Sequence, residues 1–302
     1  MKKWALLLAL CTFSAGTASA GDLVRVVRNK LSAGDTQSGA SALEAWKWKH
    51  GVDEEYLDGL GWLARGAEML RRPELAEACV AELRKVIPEE KPETLIPYGA
   101  AIEVEARLKA AALGRGAALG YLESEFARAH AYSLRCRIRK NINLLSLEGA
   151  SPMEPLRGDS FGPPPPSLAS LKGKPALLVF WVHGCGDCIA QAPALAHVVK
   201  KYESRGLTVL APTRYLGSTD SDSVATPATE KAYMRKVWAE TFKGLESVPV
   251  VIDSTAMLDY GVSATPTFAL VDRAGKVRLY TPTRLSEAEL SRRIEEVLAE
   301  AP

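Results

Sequence analysis

The stretch that decides the fold of the second half of the chain runs from Leu177 to Pro193 and reads Leu-Leu-Val-Phe-Trp-Val-His-Gly-Cys-Gly-Asp-Cys-Ile-Ala-Gln-Ala-Pro. Apolar residues of high β-propensity at 176–182 predict a buried strand. From Ile189 to Tyr202 an apolar residue recurs every three or four positions, which predicts a helix that begins at the second cysteine. Cys185 and Cys188 therefore lie where a strand ends and a helix starts.

Cysteines at such a junction are suited to redox chemistry. A helix N-terminus offers unpaired N–H groups and the positive end of the helix dipole, and both stabilise a thiolate, which is the nucleophile in disulfide exchange. Two intervening residues let both side chains share one turn, so a mixed disulfide formed by Cys185 can be resolved by Cys188. The pattern indicates a dithiol/disulfide redox centre.

Residues 1–20 are typical of a secretory signal. Lys2 and Lys3 precede an apolar core, and small residues follow up to Ala20. We expect cleavage near Ala20 and an exported, periplasmic or otherwise extracytoplasmic protein, with a short membrane anchor as the alternative.

Length and composition are those of a globular protein with room for two domains: 302 residues, 47% hydrophobic and 25% charged. Removal of residues 1–20 takes away two lysines and no acid, so the formal net charge falls from +2 to zero. A neutral chain gives no reason to expect nucleic acid as a partner. After export, the four remaining cysteines favour redox chemistry over a zinc site.

Residues 21–147 predict an all-α domain of helical hairpins, because the segment is rich in Ala, Leu, Glu, Arg and Lys. Antiparallel pairs with short connections fit a small bundle or a tetratricopeptide-like array, although no clean repeat of about 34 residues is visible. Partner docking, dimerisation and support are the candidate roles of this domain. The predicted helices span residues 56–70, 73–88, 97–113 and 119–136.

Three features of this half have a structural interpretation. Cys79 and Cys136 fall on apolar faces of predicted helices. Each is either a buried free thiol or one half of a disulfide between two helices, and the sequence leaves both alternatives possible. The basic run at residues 135–140 predicts a solvated helix face.

Residues 148–175 read as a Pro/Gly-rich linker and lead-in segment, since the four prolines at 163–166 exclude a helix there. In residues 176–302 strands then alternate with helices, which predicts a mixed α/β sheet with helices on both faces. Beyond the stretch quoted first, strands are predicted at 207–211, 248–252, 267–271 and 277–280, and helices at 229–242 and 286–299.

Two motifs about 80 residues apart make this half resemble the thioredoxin fold, and in particular the exported TlpA/ResA-type thiol:disulfide oxidoreductases. The first is Phe180-Trp181 before Cys185-x-x-Cys188 with Pro193 beyond it, and the second is Gly261-Val262-Ser263-Ala264-Thr265-Pro266-Thr267. The resemblance covers roughly residues 147–301.

The resemblance implies that Pro266 is a cis proline facing the cysteine pair and that the backbone of Thr265 binds an extended substrate. It places Trp181 with these two residues in the substrate-binding site. It also implies an inserted helix within residues 215–242.

Departures from the family pattern bear on the proton transfers. Val179 and Gln191 stand where related proteins carry an acid, and Gly184 stands where an aromatic residue is usual. Asp187 and His183 remain as candidate catalytic residues for moving the proton of Cys188. Asp187 also has a structural interpretation as an acid in a first helical turn, and His183 as an exposed loop residue.

The expected function is thiol:disulfide oxidoreduction of protein substrates, with Cys185 attacking, Cys188 resolving and no cofactor besides their disulfide. A carboxylate beside the pair disfavours the thiolate, so Asp187 favours a reductant. The resemblance then implies re-reduction by a membrane thiol reductase. The alternatives are a thiol peroxidase, disfavoured by Val182, a metal-handling protein using His183, and a catalytically idle adaptor that docks partners through its helical domain.

Overall fold

The computed structural model describes residues 21–152, 158–219 and 224–300, so the predicted signal at residues 1–20 lies outside the described residues. Residues 21–147 are helical, as predicted. The seven α-helices within residues 21–152 are α1 (Asp22–Ser32), α2 (Thr36–His50), α3 (Glu54–Met69), α4 (Pro73–Val86), α5 (Leu95–Leu113), α6 (Arg115–Arg128) and α7 (Tyr132–Ser146).

The helical domain has two hydrophobic clusters that meet at α5. One cluster joins α1 to α5 and includes Leu83, and the other joins α5 to α7 and includes Leu122. Both leucines are fully buried, and burial of such a side chain contributes about 1.5–3 kcal/mol relative to exposure. No helix in the described part of the chain is long and apolar enough to cross a membrane.

The predicted helix at residues 119–136 is in fact two helices, and that prediction was wrong. Ala129 and Ala131 have extended backbone between α6 and α7. The carboxylate of Glu90 accepts the N–H groups of His130 at 2.9 Å and Ala131 at 2.6 Å, so it binds donors at the start of α7. The apolar spacing continues across the break, which is why the periodicity did not reveal it.

The basic run at residues 135–140 is not a solvated face. Lys140 has a side chain only 15% exposed, and its Nζ lies 3.4 Å from a carboxylate oxygen of Glu103 on α5. The guanidinium groups of Arg135 and Arg139 lie over the ring of Phe126, at 4.3 and 4.1 Å from its centre. These cationic side chains therefore pack against a carboxylate and an aromatic ring of neighbouring helices and do not extend into solvent.

Residues 158–300 contain a six-stranded sheet in the order β1-β4-β3-β2-β5-β6. Strands β2, β3 and β4 run parallel, while β1, β5 and β6 are each antiparallel to the neighbour they pair with. Every residue of β2 is buried, in agreement with the uninterrupted apolar run that predicted it. The strands are β1 (Asp159–Phe161), β2 (Ala176–Phe180), β3 (Thr208–Thr213), β4 (Val250–Ile252), β5 (Thr267–Val271) and β6 (Val277–Thr281).

Helices cover both faces of this sheet, as predicted. Side chains of α8, α9 and α11 fill one face, with Leu195, Trp238 and Ile294 as examples. The other face is covered by α10 together with Leu147, the residue that follows α7. Short elements such as β1 and α10 were not anticipated. The helices are α8 (Gly186–Tyr202), α9 (Pro227–Thr241), α10 (Ser254–Asp259) and α11 (Glu287–Ala299).

Candidate active site

The cysteine pair sits at the start of α8 and forms a disulfide, with the Cα atoms of Cys185 and Cys188 5.2 Å apart. The helix begins at Gly186, earlier than predicted, because Cys185 is its N-cap residue. The Sγ of Cys185 accepts the N–H of Cys188 at 3.1 Å. A sulfur in this position faces unpaired N–H groups and the positive end of the helix dipole, so the geometry stabilises a thiolate on Cys185.

The two sulfurs differ in access. Cys185 is partly exposed, whereas Cys188 is 2% exposed. Gly184 has a positive φ of 79°, and a Cβ built on it would meet nothing within 4 Å. A substrate can therefore reach Cys185 from solvent, and Cys188 is shielded behind it.

The loop before β5 closes the other side of the pair. The peptide bond between Thr265 and Pro266 is cis, as the resemblance implied. The hydroxyl of Thr265 donates to Cys185 Sγ at 3.2 Å, and its carbonyl oxygen lies 3.4 Å from the same sulfur. Residues 80 positions apart along the chain thus meet at Cys185 Sγ.

His183 is buried, so its interpretation as an exposed loop residue was wrong. Its Nε2 lies 2.8 Å from the Oε1 atom of Glu230 on α9, and both side chains are nearly inaccessible. The same carboxylate accepts the N–H groups of Leu216 at 2.6 Å and Gly217 at 2.9 Å. Because both oxygens of this carboxylate already accept backbone N–H groups, we assign His183 as the donor through Nε2. This ring is therefore held by Glu230 rather than by either cysteine.

Asp187 lies in the first turn of α8 with a side chain 67% exposed, and its Oδ1 is 3.6 Å from Nη1 of Arg284. This position agrees with the structural interpretation of Asp187 as an acid in the first turn of a helix. Arg284 offsets part of the negative charge that Asp187 places beside the cysteines.

Gln191, at the position where related proteins carry an acid, has a structural role. Its amide donates to the carbonyl of Leu285 at 3.0 Å and accepts the N–H of Leu285 at 3.0 Å. It also lines a small, mainly apolar cavity with Cys188 and Pro266. The side chain thus links the loop before α11 to α8.

Trp181 lies in the core beneath the pair. It is 1% exposed, its Nε1 donates to the carbonyl of Ala211 at 3.3 Å, and its ring contacts Trp238 and Phe242. It lines the same small cavity as Cys188. Trp181 therefore packs in the core near Cys188, whereas the partly exposed Thr265 lies beside Cys185.

The other two cysteines of the described residues lie on α4 and α7 of the helical domain. Cys79 and Cys136 are free and buried, so the structure has the buried thiols and not the alternative disulfide. Burial raises the pKa of the Cys79 thiol to about 12. Over residues 21–152, 158–219 and 224–300, no three His, Cys, Asp or Glu side chains are grouped so that they could hold a metal ion.

Sequence reasoning missed Glu230 and Arg284. Glu230 falls in the first turn of a predicted helix, a position where an exposed acid is ordinary. No local signal distinguishes it, because its partners come from two other segments of the chain.

Comparisons with known proteins address the C-terminal half. Residues 162–291 match the model of the Redoxin family. The thiol-disulfide oxidoreductase ResA of Bacillus thuringiensis is 31% identical over 112 residues, which are 36% of this chain and 56% of that protein. ResA of Geobacillus thermodenitrificans is 28% identical over 132 residues, 43% of this chain and 67% of that protein. The chain thus spans little more than half the length of the first of these relatives.

Among solved structures, similarity extends to a thiol-disulfide isomerase from Corynebacterium glutamicum, with 18% identity and a TM-score of 0.41 over 50% of this chain and 98% of that one. It also extends to an exposed lipoprotein thioredoxin from Streptococcus pneumoniae, with 23% identity and a TM-score of 0.35 over 43% of this chain and 90% of that one. The sheet order, the cysteine pair and the Redoxin and ResA matches agree with one another. The C-terminal half of the chain therefore has a thioredoxin-like fold and is similar in sequence to ResA thiol-disulfide oxidoreductases.

Proposed function

We propose that this chain is an exported thiol:disulfide oxidoreductase that acts on protein disulfides, as a reductant. The observation that carries the proposal is the position of Cys185 Sγ, which caps α8, is partly exposed and lies within 3.4 Å of Thr265. A sulfur in this position is stabilised as a thiolate and can be reached by a disulfide lying along residues 263–266. The ResA relatives, which are thiol-disulfide oxidoreductases by name, support the same class of reaction.

The reaction proceeds in two exchanges. The thiolate of Cys185 attacks one sulfur of the substrate disulfide, forms a mixed disulfide and releases the other sulfur as a thiolate, which takes a proton from water. Cys188 then loses its proton and attacks Cys185 Sγ, so that the bond between Cys185 and the substrate breaks. Two electrons pass to the substrate, and the protein is left with the Cys185–Cys188 disulfide as its redox group.

The proton of Cys188 passes to water in this proposal. The two residues that the sequence analysis named as candidates for this proton transfer contact other side chains. His183 is hydrogen-bonded to Glu230, and Asp187 lies near Arg284. Their roles are therefore to position the loop and to set the local charge.

The charge of Asp187 is the feature that supports the reducing direction. Asp187 disfavours the Cys185 thiolate, and a less stable reduced form is a better electron donor. Because Asp187 is exposed and close to Arg284, its influence is small. A reductant outside the cytoplasm needs a source of electrons, and we expect a membrane thiol reductase to supply them.

The midpoint potential of the Cys185/Cys188 couple tests the proposal. We expect a value near that of thioredoxin, about −270 mV, rather than near about −120 mV as for a strong oxidant. The protein from residue 21 onward would be equilibrated in dithiothreitol buffers, with Cys185→Ser as the inactive control and Asp187→Asn expected to shift the potential slightly upward. A value near the oxidising end would refute the direction, and the lack of a reversible couple would favour the idle adaptor.

A further inference from the structure

Helix α7 belongs to both halves of the molecule. Leu134, Ile138 and Ile142 fill the second cluster of the helical domain, and Lys140 reaches Glu103 on α5. Leu147, directly after the helix, is buried with residues of the sheet. The helix is thus anchored in the helical domain while another part of its surface meets the thioredoxin-like domain.

Two side chains of α7 bind the two ends of α10. The hydroxyl of Tyr132 donates to the carbonyl of Ser254 at 2.8 Å, and Nδ2 of Asn143 donates to the carbonyl of Asp259 at 3.0 Å. The last carbonyl groups of a helix have no partner within it, so Asn143 satisfies an acceptor that α10 itself leaves open. These bonds fix the direction in which the chain leaves α10.

Two residues beyond α10, Gly261 lies against the backbone of α7. Its φ is +61°, and a Cβ built on it would lie 2.6 Å from the carbonyl carbon of Arg139 and from Cα of Lys140. Backbone atoms inside a helix cannot move aside as a flexible side chain can. Only glycine allows the chain to pass so close to α7.

From Gly261 the chain reaches the nucleophile within four residues. Val262 is 8% exposed and is buried with Leu147, so this segment is held on both sides. The hydroxyl and carbonyl oxygens of Thr265 then lie 3.2 and 3.4 Å from Cys185 Sγ. A shift at Gly261 is therefore transmitted to the loop that faces the redox pair.

We propose that the helical domain positions the substrate-facing loop, residues 263–266, relative to Cys185, with Gly261 and Asn143 as the positioning residues. The inference rests on the proposed function, since it concerns how a polypeptide disulfide is aligned with the nucleophile. Neither residue touches substrate or the reacting sulfurs. Alignment matters because a displacement of about 1 Å can cost about a hundredfold in rate.

The test separates binding of a polypeptide from chemistry at sulfur. Insulin needs the 263–266 loop for alignment, whereas hydroxyethyl disulfide is small enough to meet Cys185 alone. In Gly261→Ala we expect the KM for insulin to rise by at least about fivefold, and the rate with hydroxyethyl disulfide to stay within about twofold. Gly275→Ala is the matched control, because Gly275 has a φ of +72° but nothing within 4 Å of an added Cβ. We expect it to change neither.

Each outcome is decisive. A wild-type protein that reduces neither disulfide refutes the proposed function itself. If the wild type is active and a folded Gly261→Ala keeps the wild-type KM, or loses activity equally with both disulfides, the positioning role is refuted. If Gly261→Ala does not fold, Asn143→Ala decides by the same comparison, since it removes the hydrogen bond to the carbonyl of Asp259 and creates no steric overlap.

Discussion

Replacement of Glu230 by alanine should destabilise the protein strongly, and the size of the effect follows from its contacts. The carboxylate is 0% exposed and binds three donors, Nε2 of His183 and the N–H groups of Leu216 and Gly217. Each buried donor left without a partner costs about 1–3 kcal/mol. Three donors lose their partner, and water that enters the vacated space offsets part of the cost, so we expect Glu230→Ala to lower the free energy of unfolding by about 3–5 kcal/mol.

Glutamine at the same position gives an intermediate result. Oε1 of Glu230 accepts hydrogen bonds from His183 and from the N–H of Leu216, and Oε2 accepts one from the N–H of Gly217. An amide with its oxygen at the Oε1 position keeps two bonds and turns its NH₂ group toward the N–H of Gly217. Glu230→Gln should therefore cost about 1–3 kcal/mol, which is the cost of one unsatisfied donor.

Urea unfolding of the oxidised protein, followed by circular dichroism, measures these differences while the disulfide stays intact in all variants. Glu240→Ala is the control, since Glu240 is an exposed glutamate on the same helix. The order wild type, Gln, Ala should hold, with Glu240→Ala near wild type. A loss below about 1 kcal/mol for Glu230→Ala, the size of an ordinary substitution, would refute the argument that this carboxylate joins three segments. Equal losses for Gln and Ala would refute the assignment of its two oxygens.

Two further predictions concern Gln191 and Cys79. In Gln191→Glu, burial and loss of the amide donor to Leu285 should raise the pKa of the new carboxyl in the folded state above about 4.3, its unfolded value. Its stability relative to wild type should then be highest below pH 4 and fall as pH rises through the raised pKa; equal differences by urea unfolding at pH 4 and 7.5 would contradict this. With a pKa of about 12, the Cys79 thiol should resist iodoacetamide at pH 8 in the reduced native protein while Cys185 reacts, and should be labelled once urea unfolds the chain. Mass spectrometry that finds rapid native labelling of Cys79 would show that the thiol is accessible.

The sequence could predict the features that depend on residues close together in the chain. The apolar run of β2 and the start of α8 near Cys185 each depend on such residues, whereas the cis bond at Pro266 was implied by the family resemblance. Hydrophobic periodicity also located α3, α4 and α5, with bounds that moved by a few residues.

The features that escaped depend on distant partners. The break before α7 requires Glu90 from another loop, and the burial of His183 requires Glu230 from α9. The cations of residues 135–140 read as a polar surface because their carboxylate and aromatic partners lie on other helices. Periodicity reports which face of a helix is apolar, but it does not report which charges a neighbouring helix will neutralise.

Gly184 has a consequence for selectivity. Among the described residues, apart from the two chain neighbours of Gly184, no atom lies within 4 Å of a Cβ built on it. Gly184 therefore adds no steric barrier of its own beside Cys185, and we expect this side to tolerate small and large disulfides alike. If the chain reduces disulfides as proposed, selection among substrates must come from another segment, and we expect the loop at residues 263–266, whose Thr265 contacts Cys185 Sγ, to supply it.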